Sequence, residues 1–221
     1  MKSSFQLVTT GDGSHTLFVP HLNEHYHSKF GALSESLFIF INAGLKSVSG
    51  LSEISVFEIG FGTGLNAMLT LDFALENNKR INYHTIEQHP LDESIITSLN
   101  YAGKPGMASQ YFLEIHKASW NEYIPITPKF MLHKILADFT SFEPGFRYDV
   151  IYFDAFAPDK QPEMWKPQLF VILASQLNPG GVLVTYCVKG EVKRALRNAG
   201  LTVQILPGPA GKRHILRAVK E

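Results

Sequence analysis

Apolar positions recur along the chain with two distinct periods, and the order of those periods predicts the architecture. Phe5-Gln-Leu-Val8 and His15-Thr-Leu-Phe-Val19 alternate about Thr10-Gly-Asp-Gly-Ser14, a spacing that predicts an N-terminal hairpin with glycines in its tight turn. From Ser28 to Asn42 the apolar residues Phe30, Leu33, Leu37, Phe38 and Ile41 fall at helical spacing, and Gly44 is placed as the stop. Short β-rich runs then alternate with helical stretches. The runs are Ile54–Ile59, Ile81–Ile86, Lys134–Ala137, Tyr148–Phe153 and Gly181–Tyr186; the helices are Leu65–Glu76, Leu91–Leu99, Leu169–Leu177 and Glu191–Asn198. Thr202–Leu206 and His214–Val219 close the chain as an antiparallel pair, and Asn178-Pro-Gly-Gly181 reads as a sharp turn. Asn100 to Phe130 carries a weaker pattern, read as a short helix and a loop.

Strands alternating with helices build a mostly parallel sheet with helices on both faces. The expectation is one α/β domain: a Rossmann-like three-layer fold on a seven-stranded mixed sheet over residues 51–221, with residues 1–50 as a hairpin-helix appendage of the same domain. With 221 residues, 45% of them apolar and 18% charged, the composition is globular and excludes disordered, collagenous and coiled-coil classes. Cys187, the one cysteine, sits in an apolar run as a buried thiol and fits a reducing compartment. The N-terminus has no long apolar region and no run approaches a membrane span, so the cytoplasm is the expected location.

The chemistry collects where strands end. Gly60-Phe-Gly62-Thr-Gly64 follows the first strand of the alternating part, opens a helix, and is preceded by Glu58. Such glycines let backbone approach a ligand closely, and the G-x-G-x-G spacing fits an S-adenosylmethionine site better than a pyrophosphate site. The following strand ends in Glu87, which can accept hydrogen bonds from both hydroxyls of a ribose. The next ends in Asp138-Phe139, a carboxylate for an adenine amino group beside a ring to cover it, and the next in Asp154. Four acids therefore close four successive strands at the edge where open α/β sheets bind ligands. Asp154-Ala-Phe-Ala-Pro-Asp-Lys-Gln-Pro-Glu-Met-Trp165 forms a stiff loop with Phe156, Pro158 and Trp165 around one carboxylate, as a small acceptor pocket needs.

Two further patterns bear on partners. His21-Leu-Asn-Glu24-His25 matches the letters of a zinc motif, but Pro20 and the hairpin leave little helix to carry it, so no metal is expected and His15, His21, His25 and His27 read as surface or lid residues. Lys plus Arg equals Asp plus Glu at 20 each, yet residues 189–221 hold eight basic residues against two acidic ones. Lys189, Lys193 and Arg194, with Lys212 and Arg213, could track the phosphates of a nucleic acid.

Together these motifs resemble the methyltransferase domain of the MnmC-type tRNA 5-methylaminomethyl-2-thiouridine biosynthesis enzymes. The matching residues are Gly60-Phe-Gly-Thr-Gly-Leu-Asn66, Ile86-Glu-Gln-His-Pro90, the loop from Asp154 to Trp165, Pro179-Gly-Gly181, Val192-Lys-Arg-Ala-Leu196 and Ala199-Gly200, with Tyr26-His-Ser28 through Glu35 to Phe40 as the entry to the cofactor site. The resemblance implies methyl transfer from S-adenosylmethionine to the primary amine of 5-aminomethyl-2-thiouridine at the tRNA wobble position. It places Glu58, Gly60, Gly62, Gly64 and Asn66 on the methionine part, Glu87 on the ribose, and Asp138 with Phe139 on the adenine, with Phe61 and Gln88 also among the cofactor-binding residues. Tyr26 and Glu35 would close the site; Asp154 would orient the amine, with Phe156 and Trp165 walling the uracil. The bifunctional members carry a flavin oxidase domain that these 221 residues do not include. His214 stands where an acidic residue is expected. On the same fold, methyl or aminopropyl transfer to a small amine is the alternative; a protein that binds S-adenosylmethionine or RNA without turnover is another.

Overall fold

The N-terminal alternation does form a hairpin in the computed structural model, which describes residues 5–103, 109–143 and 145–221. Strands β1 (Gln6–Thr9) and β2 (His15–Val19) pair antiparallel, and β3 (Glu24–His25) adds to the free edge of β2. Asp12 in the turn ties this sheet to the first helix. Its carboxylate accepts the Ser14 N–H at 3.0 Å and, through its other oxygen, the Ser34 N–H at 2.8 Å in the first turn of α1 (Ala32–Ser36).

The single helix expected over 28–42 is instead three conformations in series: α1, a wider π-type helix over Leu37–Gly44, and a 3-10 turn over Leu45–Val48. Gly44 does not stop it. A Cβ there would meet Val184 Cγ2 at 2.9 Å, so the missing side chain lets the backbone lie against the sheet and continue.

The alternating part runs β4 (Glu53–Ile59), α2 (Leu65–Glu76), β5 (Arg80–Glu87), α3 (Glu93–Ile96), α4 (Phe112–Lys117), β6 (Tyr123–Thr127), β7 (Phe130–Leu136), β8 (Tyr148–Phe153), α5 (Pro167–Gln176), β9 (Leu177–Thr185), α6 (Gly190–Asn198), β10 (Thr202–Pro207) and β11 (His214–Val219). One sheet holds β10-β11-β9-β8-β4-β5-β7-β6 in that order. The pairs β4/β5, β4/β8, β5/β7 and β8/β9 are parallel; β9/β11, β10/β11 and β6/β7 are antiparallel. Eight strands rather than seven result because Tyr123–Thr127, expected as loop, pairs with β7. Pro125 is tolerated there because β6 is an edge strand.

Two other expectations change. The helix over 91–99 shrinks to one turn, since the Thr97 and Ser98 hydroxyls bond back to the Glu93 and Ile95 carbonyls and compete with further helix. Asn178–Gly181 is part of β9, where the pairing with β8 shifts register; the Gly180 N–H bonds to the Lys220 carbonyl. On one face α2 and the π-type helix bury Phe40, Met68 and Leu71 against Val56, Val150 and Val184. On the other, α5 and α6 bury Phe170, Leu173 and Leu196 against Phe153, Leu183 and Leu216, completing the three layers. Cys187 is buried, and burial pushes its thiol pKa up. Among the described residues no helix is long and apolar enough to cross a membrane.

Candidate active site

The parallel strands β4, β5, β7 and β8 end at one edge. Backbone bonds continue each ladder one step beyond its strand: Gly60 N–H to the Ile86 carbonyl, Asp154 N–H to Ile59 and Ala137 N–H to Glu87, at 3.0 to 3.2 Å. That register sets Gly60, Glu87, Asp138 and Asp154 around a cleft of about 500 Å³, roofed by the N-terminal sheet. The size suits a small organic cofactor. Phe5, Leu22, Tyr26 and Ser28 of the N-terminal segment line the cleft.

The glycine loop forms the floor. Gly60, Gly62 and Gly64 all have positive φ, and a Cβ on Gly62 would come within 2.9 Å of the Tyr26 ring. Gly62 donates its N–H to Glu87 Oε2 at 3.1 Å, while Glu87 Oε1 accepts the His89 N–H at 2.8 Å. Both carboxylate oxygens are thereby aimed, each with capacity left for a hydroxyl. Gln88 is exposed at the rim. Asp138 uses one oxygen to accept the Thr140 N–H and hydroxyl, both at 2.8 Å; the Phe139 ring is buried beside it at the cleft wall.

Asp154 lies half-buried in the cleft, with Oδ2 accepting 2.8 Å from Asn66 Nδ2. Desolvation raises its pKa well above the ordinary carboxylate range, and the nearby Glu58 and Glu35 charges add to that, opposed by Asn66 and Lys212. Phe156 meets Tyr26 edge-on, ring centres 5.1 Å apart, across the cleft. Glu35 pairs with Lys212 Nζ at 2.7 Å and accepts the Ser28 N–H at 3.0 Å. Lys212 also lies 5.3 Å from the centre of the Tyr186 ring, whose hydroxyl donates to the Ala155 carbonyl. Sequence reasoning does not reach Tyr186; its place at the end of an apolar strand run is the available signal.

Several expected site residues sit elsewhere. Glu58 is fully buried behind the floor, where it accepts the Thr85 hydroxyl at 2.8 Å; desolvation pushes its pKa up to about 8. Gly64 caps α2 and does not line the cleft. Trp165 is buried and off the wall: its indole N–H donates 2.7 Å to the Phe156 carbonyl, and its ring packs on Phe153, so it props the loop. Pro158 is buried and also off the wall. His27 is buried rather than superficial, with its pKa lowered to about 4 by desolvation, and it lines the cleft together with His21 and His25. Glu24 and His25 lie on a strand, not a helix. Lys189, Lys193, Arg194 and Arg213 are outside the cleft; only Lys212 of the basic group reaches it. Lys189 pairs with Asp159 at 3.1 Å on the surface.

The donor set fits an adenosyl cation. A glycine floor that a Cβ would fill, aimed carboxylates at Glu87 and Asp138, the buried unpartnered Asn66 Oδ1, and a lining rich in acids suit a ligand carrying ribose, adenine and positive charge.

Known proteins agree with this geometry. A family profile described as S-adenosyl-L-methionine-dependent methyltransferase matches residues 107–221. The tRNA 5-methylaminomethyl-2-thiouridine biosynthesis bifunctional protein MnmC of Cupriavidus necator is 30% identical over 209 residues, covering 88% of this chain and 31% of its own length. The chain thus spans about a third of the curated relatives it matches. The crystal structure of MNMC2 from Aquifex aeolicus superposes with a TM-score of 0.83 at 26% identity, covering 98% of this chain and 70% of that one. Spermidine synthase from Thermotoga maritima shares the fold at a TM-score of 0.55 and 14% identity, covering 99% and 72%. With that profile matching more than half of the chain and the cleft built to suit that cofactor, the chain belongs to the S-adenosyl-L-methionine-dependent methyltransferases, and its likeness there is to the methyltransferase part of MnmC.

Proposed function

We propose that the chain methylates the primary amine of 5-aminomethyl-2-thiouridine at the wobble position of tRNA. The observation that carries this reading is Asp154: one desolvated carboxyl beside the glycine floor, held by Asn66, in the same cleft as the edge-on pair of Tyr26 and Phe156. The names of the relatives support the choice of acceptor.

S-adenosylmethionine supplies a methyl group on a cationic sulfur that leaves as a neutral thioether. In the proposed site Gly60, Phe61, Gly62 and Asn66 face its methionine part, Glu87 and Gln88 the ribose, and Asp138 with Phe139 the adenine. Tyr26 and Glu35 close the cleft. The chain's own task is to present a neutral amine in line and exclude water. With the cofactor bound, the nitrogen lone pair would form the new C–N bond as the C–S bond breaks, and the secondary ammonium would then shed one proton. In its ionised form Asp154 would orient the amine by accepting an N–H hydrogen bond and would then take that proton. A fully ionised carboxylate would hold the acceptor as an unreactive ammonium, and desolvation of Asp154 lessens that effect.

The basic residues suit an RNA acceptor. α6 begins just beyond the end of β9, and the β10–β11 loop follows the C-terminal end of β10, so both start from the edge of the sheet that carries the cleft, and in this reading Lys193, Arg194 and Arg213 would face the RNA. There they would neutralise phosphates, with Lys189 beside them.

The deciding experiment is nucleoside mass spectrometry of tRNA from cells lacking this protein, before and after incubation with purified enzyme and labelled S-adenosylmethionine. Conversion of 5-aminomethyl to 5-methylaminomethyl-2-thiouridine is expected. Label found only in a small amine, or none despite bound cofactor, would refute the tRNA reading.

A further inference from the structure

Four polar side chains form one row across the sheet beneath the glycine loop. Tyr152 on β8, Glu58 on β4, Thr85 on β5 and Lys134 on β7 are successive register partners, and register partners on neighbouring strands face the same side. All four are buried, Lys134 with 1% of its surface exposed. Thr85 and Glu58 bond each other. Lys134 has no carboxylate within ion-pair distance among the described residues, although burying an unpaired ammonium is costly.

The surroundings of that ammonium lead to the glycine loop by two routes. Lys134 Nζ donates to the His116 carbonyl at 2.6 Å, and His116 Nε2 lies 3.0 Å from the Thr63 carbonyl, which can only accept. His116 therefore carries its proton on Nε2 and grips the loop at Thr63. A Cβ on Gly64 would come within 2.7 Å of that nitrogen, so the ring is pressed against the loop. The ammonium also sits over Trp120, 4.7 Å from its ring centre, and faces Phe61 at 5.4 Å. Phe61 is the residue between the first two glycines and lines the cleft. We infer that Lys134 is a positioning residue of the cofactor site, its buried charge holding Phe61 and, through His116, Thr63, so that the Gly60–Gly64 backbone keeps its ligand-ready shape.

The inference rests on the cofactor reading above and goes beyond it in naming a residue that touches no ligand. Burial lowers the Lys134 pKa to about 8, so the holding charge fades near that pH. The titratable groups near it are His116, kept neutral by a pKa lowered to about 4, and, on the same face of β5 and β4, the Tyr83 phenol, whose pKa burial raises, and Glu58 beyond Thr85.

Calorimetric titration with S-adenosylmethionine from pH 7 to 9 tests it, using wild type, K134M, K134R and E58Q. Wild-type affinity should fall across this range, and E58Q should keep most of that fall. K134M should bind about tenfold more weakly at pH 7, the scale of a lost hydrogen bond from a charged group, with little pH dependence. K134R, which stays charged, should restore affinity and remove the slope. Wild-type affinity that is flat with pH, K134M binding like wild type, or K134R with an undiminished slope overturns the proposal. If K134M does not fold, the wild-type slope and K134R decide. Failure of the wild type to bind at all would overturn the cofactor reading, and this proposal with it.

Discussion

Asn66 Nδ2 donates a 2.8 Å hydrogen bond to Asp154 Oδ2, joining the first turn of α2 to the end of β8. The bond crosses the line where the strand order turns from β4/β5 to β4/β8, the switch point at which open α/β sheets bind ligands. The glycine loop and the proposed acceptor carboxyl are thus held as one unit. Asp154→Asn keeps the size of the group and loses the proton acceptor. Turnover should fall about 10²- to 10⁴-fold with S-adenosylmethionine binding close to wild type. Single-turnover rates and calorimetry check this; an Asn variant with wild-type rate would remove Asp154 from the chemistry.

Gly62→Ala places a Cβ 2.9 Å from the Tyr26 ring at a φ of +48°. Left-handed backbone costs a non-glycine residue about 1–2 kcal/mol, and the ring must also shift. The variant should fold, melt at lower temperature and bind cofactor more weakly. Unchanged cofactor affinity would show that the loop does not form the floor.

Glu58 gives the stability a pH dependence. The folded state keeps its proton up to about pH 8, whereas the unfolded chain loses it near 4.5, so this contribution is complete at low pH and fades as pH rises through 8. Asp154, also raised, acts in the same direction. His27, His84 and His116, lowered to about 4, act oppositely but only below about 6.5. Between pH 6.5 and 8 the unfolding free energy should therefore decline, with Glu58 contributing at most about 1.4 kcal/mol per pH unit. E58Q should flatten the decline; denaturant melts at both pH values with equal slopes in the two proteins would contradict the assignment.

Trp165→Phe removes the indole N–H that holds the Phe156 carbonyl while keeping most of the packing on Phe153. The expected cost is about 1 kcal/mol of stability. Because the loop carries Phe156 into the cleft, acceptor KM should rise with cofactor affinity unchanged. Steady-state kinetics with tRNA would detect it, and an unaltered KM would leave Trp165 a packing residue alone.

Replacing Lys193 and Arg194 by Ala should weaken tRNA binding alike for all sequences and lower the slope of log affinity against log salt by about one for each phosphate no longer neutralised. Filter binding across salt concentrations measures that slope. A variant pair with the wild-type slope would move the RNA surface off α6.

The alternation of strands and helices, the glycine turn and the acids at strand ends are legible in the chain, because periodicity and turn chemistry are properties of neighbours in sequence. So are Gly60, Glu87, Asp138 and Asp154, each the residue at or just past a strand end, where ladder and ligand edge coincide. Facing is not legible. Glu58, one residue before the end of β4, points into the helix layer, and only the set of that strand against α2 decides it. Trp165 reads as a wall in the sequence and is a prop in the fold, since its indole finds the Phe156 carbonyl nine positions back only once the loop has folded. Lys134 stands among alternating residues with no sign of burial; it is covered because α4 brings His116 onto it, a contact across the fold. Local chemistry thus sets which residues gather at the edge of the sheet. Tertiary packing decides which of them face the ligand, because strand orientation alternates from one residue to the next and loops carry no period of their own.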